Sequence, residues 1–214
     1  MANLSKSVIY DNEDFIIEDS VLKKYVGEGG DVVIPDGVAK IERGAFSNCH
    51  LIISVTMPDS VIEIGPYAFE SCKNMQSVVL SSKLIKICEH AFALCYALNE
   101  LTIPNSVMEI ENNAFGACLN LTSIKLPDGL IEISAGLFNR CEQLKELTLP
   151  DSIFKIGNQA FILCKSLAQI RLPSGAAVID NGAFAGCCNL TDVYLPSTII
   201  RVGYSAFYNC SKLD

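Results

Sequence analysis

The chain has 214 residues, 50% of them hydrophobic, which is enough to bury a sizeable core in one large domain or two small ones. With 16 Lys+Arg against 24 Asp+Glu the formal net charge is −8, so a nucleic-acid backbone or an anionic membrane surface is a poor electrostatic match. No apolar run approaches the roughly 20 residues of a membrane span, and Met1 to Ser20 carries acids where a secretory leader would be apolar, so the sequence reads as soluble and leaderless.

The first predicted elements are two short strands, Phe15-Ile16-Ile17-Glu18 and Val21 to Val26, around a tight turn at Asp19-Ser20. A flexible connector, Gly27-Glu28-Gly29-Gly30, is expected after them. Residues 1–31 are thus predicted to be a hairpin-like N-terminal cap, which a repeat array needs because its first rung would otherwise expose an apolar face.

Residues 32–214 are periodic. Eight of the 10 cysteines, Cys49, Cys72, Cys95, Cys118, Cys141, Cys164, Cys187 and Cys210, stand 23 residues apart, and Phe46, Phe69, Phe92, Phe115, Phe138, Phe161, Phe184 and Phe207 keep the same step. Each unit opens with apolar residues spaced three and then two apart, as in Leu121, Ile124 and Leu126, and a proline such as Pro127 closes the segment. That pattern predicts a short strand with its apolar pair on one face, stopped where proline cannot continue the ladder. A second apolar pair follows, as in Val61 and Ile64, and then Ala-Phe, two spacers and Cys. Twenty-three residues must hold two straight segments and two corners, so the expected turn is a parallel strand, a corner, a shorter extended stretch, and a tight or 3₁₀-like turn at Ala-Phe-x-x-Cys.

These columns resemble the leucine-rich repeats of the bacterial surface protein A type, also called Treponema-type repeats. Pro58-Asp59-Ser60-Val61-Ile62-Glu63-Ile64-Gly65-Pro66-Tyr67-Ala68-Phe69-Glu70-Ser71-Cys72 carries the resemblance, and it extends in phase from Val32 to Leu213. It implies a leucine-rich repeat solenoid of about eight turns, with a parallel β-sheet on the concave side and short extended and 3₁₀ or turn segments on the convex side. Local departures are Ser81 for Pro, Cys88 and Glu111 for Gly, Leu137 for Ala, and Ala176-Ala177-Val178 in a weakened seventh unit. Leu213 opens a ninth register before Asp214, so an unpaired edge open to another chain or to further repeats is expected there.

In-register side chains point in parallel about 4.8 Å apart, whereas a disulfide needs convergent Cβ atoms, and no Cys-x-x-Cys or Cys/His cluster supplies a zinc site. The cysteine column is therefore expected to be reduced packing; Cys88 and Cys188, outside it, are the candidates for a more reactive thiol, although packing against neighbours is the favoured reading of each. Enzyme signals are missing. His50 and His90 occupy non-equivalent columns with no paired acid or nucleophile, and Gly27-x-Gly29-Gly30 lacks the strand and helix of a phosphate loop. Asn-x-Ser/Thr triplets at Asn3, Asn120, Asn189 and Asn209 read as accidents of composition. No cofactor, metal or catalytic residue is expected.

What remains is surface, in columns. One outward column of the main strand contains Glu146, Gln169 and Asp192, and the other contains Lys125, Arg171 and Tyr194. These are residue types that anchor protein partners, although a solvated strand face favours some of them too. A second candidate is the column Ile62, Ile85, Met108, Ile131, Phe154 and Ile200, which is either a lateral contact, for a homo-oligomer or a second domain of the same protein, or half-buried at the corner. Beside it, Lys40, Glu63, Lys86, Glu109, Glu132, Lys155, Val178 and Arg201 mostly alternate in sign, with Glu109 next to Glu132 as the weak step. The resemblance implies a non-enzymatic module that binds host or neighbouring-cell proteins, secreted or surface-displayed, while the free thiols leave the cytoplasm open. A self-assembling scaffold is the alternative. Glycan binding ranks last, because Tyr194 is the only aromatic in the two outward columns.

Overall fold

The computed structural model describes residues 13–213, so the expectations at Asn3 and Asp214 lie outside the described residues. A hairpin of β1 (Phe15–Glu18) and β2 (Val21–Tyr25) comes first; Asp19 and Ser20 both have positive φ, as a two-residue I′ turn demands. Thereafter two strands alternate in almost every turn: β3 (Gly30–Val33), β4 (Lys40–Ile41), β5 (Ile52–Thr56), β6 (Glu63–Ile64), β7 (Ser77–Val79), β8 (Lys86–Ile87), β9 (Glu100–Thr102), β10 (Glu109–Ile110), β11 (Ser123–Lys125), β12 (Glu132–Ile133), β13 (Lys155–Ile156), β14 (Gln169–Arg171), β15 (Val178–Ile179), β16 (Asp192–Tyr194) and β17 (Arg201–Val202). At Glu146 the long strand is reduced to a single parallel bridge with Ser123. Beyond the hairpin every pairing is parallel and nearly all are 23 residues apart, as in Ile124 with Leu101; the exceptions are Gly30 opposite Ile52, where β3 shifts register against β5, and β2 on β4 through Val21 with Lys40 and Leu22 with Ile41. The result is a leucine-rich repeat solenoid with no helix among the described residues.

The Gly27–Gly30 connector is held rather than free. The Gly29 amide donates to the Tyr25 hydroxyl at 3.0 Å, and the Gly30 amide donates to Leu51 O as β3 begins. Gly29 is needed there, since its φ is +105° and a Cβ would stand 2.5 Å from Leu51 Cβ.

Of the two forms expected at Ala-Phe-x-x-Cys, the structure has tight turns. Ala45, Ser47 and Cys49 donate back three residues to Glu42, Gly44 and Phe46, while Gly44, Phe46 and Asn48 donate across to Pro66, Ala68 and Glu70 of the next rung. Alternate amides thus serve the turn and the ladder, whereas a 3₁₀ helix would turn them all inward. The arrangement demands two left-handed residues per rung. They stand just before Ala-Phe and just before Cys, as at His90 (φ 55°) and Leu94 (φ 62°). Non-glycine residues tolerate this only because bonds on both sides fix the backbone.

The core is a stack of identical layers. Phe46, Phe69, Phe92, Phe115, Phe138, Phe161 and Phe184 are fully buried, with neighbouring rings nearly parallel and centroids 4.6 Å apart at the tightest pair, Phe46–Phe69. The widest pair is Phe115–Phe138 at 6.0 Å. Each thiol of the main column from Cys72 onward donates to the phenylalanine carbonyl one rung back, as from Cys141 to Phe115 O at 3.2 Å. The cysteines are free, and the column packs as expected. It also bonds, which the sequence did not reveal. Ser81, in place of proline, is buried and caps the same turn with its hydroxyl, accepting the Lys83 amide at 3.1 Å.

The ladder of short strands is interrupted once. β1-β2-β4-β6-β8-β10 form one sheet and β12-β13-β15-β17 another, so the break falls between Glu109 and Glu132. The cause lies one residue beyond the strands, in a column where side chains meet the previous rung. At Gly157 an added Cβ would lie 2.8 Å from Ile133 O and 2.8 Å from Ala135 N. Ser134 occupies this column at the break, and its hydroxyl, in place of its amide, donates to Ile110 O. Like charges on Glu109 and Glu132 reinforce the separation.

Candidate interaction surfaces

Two surfaces emerge from this frame: the outward positions of the long strands, and the shoulder beside the short ones. On the long strands the pleat alternates, so the middle residue of β7, β9, β11 and β14 is buried and its neighbours are exposed. Lys125 on β11, Arg171 and Gln169 on β14, and Asp192 and Tyr194 on β16 are all exposed, as is Glu146. Register brings Gln169 beside Asp192 and Arg171 beside Tyr194. The Arg171 guanidinium lies over the Tyr194 ring, 4.4 Å from its centroid, which holds a large planar surface upright at low entropic cost. Lys125 stands two rungs from Arg171, in a depression of about 470 Å³ lined by Glu100, Thr102, Ser123, Lys125, Glu146 and Thr148. Among the described residues, neither Lys125 nor Arg171 has an ion-pair partner, so both charges face solvent. The six residues thus form an acidic column flanking a cationic and aromatic one.

The shoulder carries the other column. Ile62, Ile85, Met108, Ile131, Phe154 and Ile200 are 44–80% exposed, with Met108 at 74%, while Val61, Ile64, Ile153 and Ile156 beside them are fully buried. The reason is local: those neighbours fill the inward positions, so the residue between them must face out. Where the ladder opens, a hollow of about 720 Å³ lies between Met108 and Ile131, with Glu89, Glu109, Glu111 and Glu132 on its walls. Each of these carboxylates already has a cation: Glu89 pairs with Arg43 at 3.5 Å, Glu109 and Glu111 share Lys86 at 3.0 and 2.5 Å, and Glu132 pairs with Lys155 at 3.3 Å. Burial works to raise the Glu111 carboxyl pKa, but hydrogen bonds from Lys86 and the Glu89 amide outweigh it and hold it below its ordinary value. Hydrogen bonds to the Glu111 and Glu109 carboxylates push the Lys86 ammonium pKa upward. No cluster of metal-ligating side chains occurs among the described residues.

The histidines stay apart. His50 Nδ1 meets Ser71 O at 2.8 Å, and the His90 ring stacks on Tyr67 at 4.9 Å, with Arg43 over the other face of Tyr67. Burial pushes the Cys72, Cys118 and Cys187 thiols up to about 12 and lifts Cys95, Cys141 and Cys164 well above their ordinary value, so these six are held protonated. Cys88, one of the two candidates for a more reactive thiol, is buried, and its pKa is raised to about 11 by desolvation and the carboxylates of Glu111 and Glu63. The hollow was missed by sequence reasoning, and no one letter signalled it, because the column of Ser134 holds Cys88, Glu111 and Asp180 as well as Gly65, Gly157 and Gly203. The Tyr67–His90 stack was missed too, although the two residues lie one 23-residue period apart.

Comparison with known proteins places these features in a wider set. The model of the BspA type leucine rich repeat region matches residues 17–108 and 86–214, in six copies. No curated protein sequence matches the chain. Among solved structures, a leucine rich cell surface protein from Faecalibacterium prausnitzii is 31% identical with a TM-score of 0.75, over 86% of this chain and 53% of that one. The leucine rich repeat protein of Treponema pallidum is 31% identical with a TM-score of 0.66, over 91% of this chain and 82% of that one. This chain therefore spans about half the length of the Faecalibacterium protein's chain.

Proposed function

This chain belongs to the BspA type leucine-rich repeat family, and from that premise we propose that it is a non-enzymatic protein-binding module acting at a bacterial cell surface. Its partner docks on the long-strand face of the C-terminal half. The observation that carries this reading is the upright Arg171–Tyr194 pair, because stacked arginine and tyrosine present large contact area with little rotamer entropy left to lose. Lys125, Arg171 and Tyr194 span three rungs, about 14 Å, which suits one patch on a partner. Glu146, Gln169 and Asp192 alongside supply acceptors, so the matching patch carries both charges and an apolar centre. The cell-surface part of the proposal is supported by the similarity to the Faecalibacterium prausnitzii protein, a leucine rich cell surface protein.

Capture by the immobilised protein from detergent extracts of surface proteins, with chemical cross-linking, tests the reading. The Lys125→Ala/Arg171→Ala/Tyr194→Ala variant should lose the captured protein while a Thr56→Ala/Val79→Ala variant of the N-terminal half keeps it. Equal capture by both would refute the assignment of this face.

A further inference from the structure

The shoulder stripe lies outside the long-strand face, and we propose that it is a self-association surface on which two copies pack antiparallel about a two-fold axis through the Met108 rung. The first ground is area. Ile62, Ile85, Met108, Ile131 and Phe154 follow one another one repeat apart, with the ladder open only at the step from Met108 to Ile131, and each is 44–74% exposed. Together they offer on the order of 600 Å² per copy before their neighbours are counted, against about 800 Å² per partner in a stable interface. The second ground is periodicity: a second copy repeats the same rung spacing and meets the stripe in phase along the rod on either side of the opened Met108–Ile131 step.

The third ground is charge, and it selects the register. In an isologous pair with the axis along the rung direction, the charged column of one copy faces the same column of the other in reverse order. An axis midway between the Met108 and Ile131 rungs sets Glu109 against Glu132, Lys86 against Lys155, and Lys40 against Arg201, which are like charges throughout. An axis through Met108 sets Lys86 against Glu132 and Glu63 against Lys155, with Glu109 meeting itself at the centre while bound to Lys86 at 3.0 Å. In that register Met108 meets Met108, Ile85 meets Ile131, and Ile62 meets Phe154. An axis through Ile131 also pairs opposite charges but spends Ile85 on Ala177. The Met108 register matches five consecutive large apolar rungs, Ile62 to Phe154, with one another, whereas the Ile131 register, which seats Ile62 on Ile200 and Met108 on Phe154, breaks that run at Ile85.

Sedimentation equilibrium of the intact chain, with thiols reduced, reads the proposal directly. The wild type is a dimer at tens of micromolar, and Met108→Thr/Ile131→Thr/Phe154→Thr raises its dissociation constant by about 100-fold or more with an unchanged circular dichroism spectrum. Met108→Cys then yields, on mild oxidation, a cross-link that peptide mapping places between the two introduced thiols; Ile85→Cys/Ile131→Cys links 85 of one copy to 131 of the other. A wild type that stays monomeric at roughly 100 μM overturns the proposal, as does a dimer that survives the triple threonine variant. A dimer in which the Met108→Cys thiols do not cross-link overturns the register.

Discussion

Alkaline solution should destabilise this protein far more steeply than an ordinary β-protein, because unfolding releases a column of thiols that the native state keeps protonated. Six of them, Cys72, Cys95, Cys118, Cys141, Cys164 and Cys187, have native pKa values pushed up by burial to about 12 or well above the ordinary value. In the unfolded chain each titrates near 8.5. The unfolded state then binds fewer protons, so stability is fully present below about pH 8.5 and falls as pH rises toward the native values. At pH 10 each thiol costs about 2 kcal/mol, or about 12 kcal/mol for six, comparable to the 5–15 kcal/mol that stabilises a typical domain. The measurable quantity is the slope, about 8 kcal/mol per pH unit once the unfolded thiols are ionised. Urea titrations followed by circular dichroism between pH 8.5 and 10.5, under reducing conditions, give it. Cys49, Cys88 and Cys210 also have raised pKa values and add losses of the same sign across this range, as do Tyr25, Lys40 and Lys86 near its top. Subtracting the slope of a Cys118→Ala/Cys164→Ala variant removes them, and the difference should be about one third of the thiol slope. Identical slopes in wild type and variant would refute the claim that these thiols stay buried and protonated.

Three further outcomes follow from the same geometry. Ser134→Gly removes the side chain that parts β10 from β12, so the amides at 131 and 134 should gain at least tenfold protection in hydrogen exchange, a gain of about 1.4 kcal/mol in local opening free energy; unchanged exchange would mean that Glu109 and Glu132 alone hold the ladder open. Phe138→Ala empties a fully buried layer at the widest step of the ring stack and should cost about 3–5 kcal/mol in urea unfolding. Lys86→Met leaves Glu109 and Glu111 without their cation and should cost about 1–2 kcal/mol at pH 7. Because the Glu111 pKa is depressed in the wild type, that difference should be present above about pH 4.3 and vanish as acid protonates the carboxylates, and a cost that persists at pH 2–3 would assign Lys86 a packing role instead.

The amino-acid sequence alone determined the rung. A 23-residue period with phenylalanine, cysteine and leucine each in one column states which side chains face inward, since every turn repeats the orientation of the last, and the buried core follows those columns. The outward places of Lys125, Arg171 and Tyr194 were legible for the same reason, as strand alternation fixes direction residue by residue. Tertiary structure decided whatever depends on how two adjacent rungs fit. Arg171 had to be seen against Tyr194 before it became a stacked anchor, and the cysteine column had to be stacked before its thiols met the carbonyls of Phe46 to Phe184. Ser134 shows the limit most plainly. Its identity is one letter in a column that also tolerates Cys88, Glu111 and Asp180 with the ladder amide still bonded, yet only at Ser134 does a hydroxyl displace the amide and the sheet part. A period in the sequence specifies the direction of each side chain, but the few tenths of an ångström between a Cβ and the carbonyl of the preceding rung are set by both rungs together.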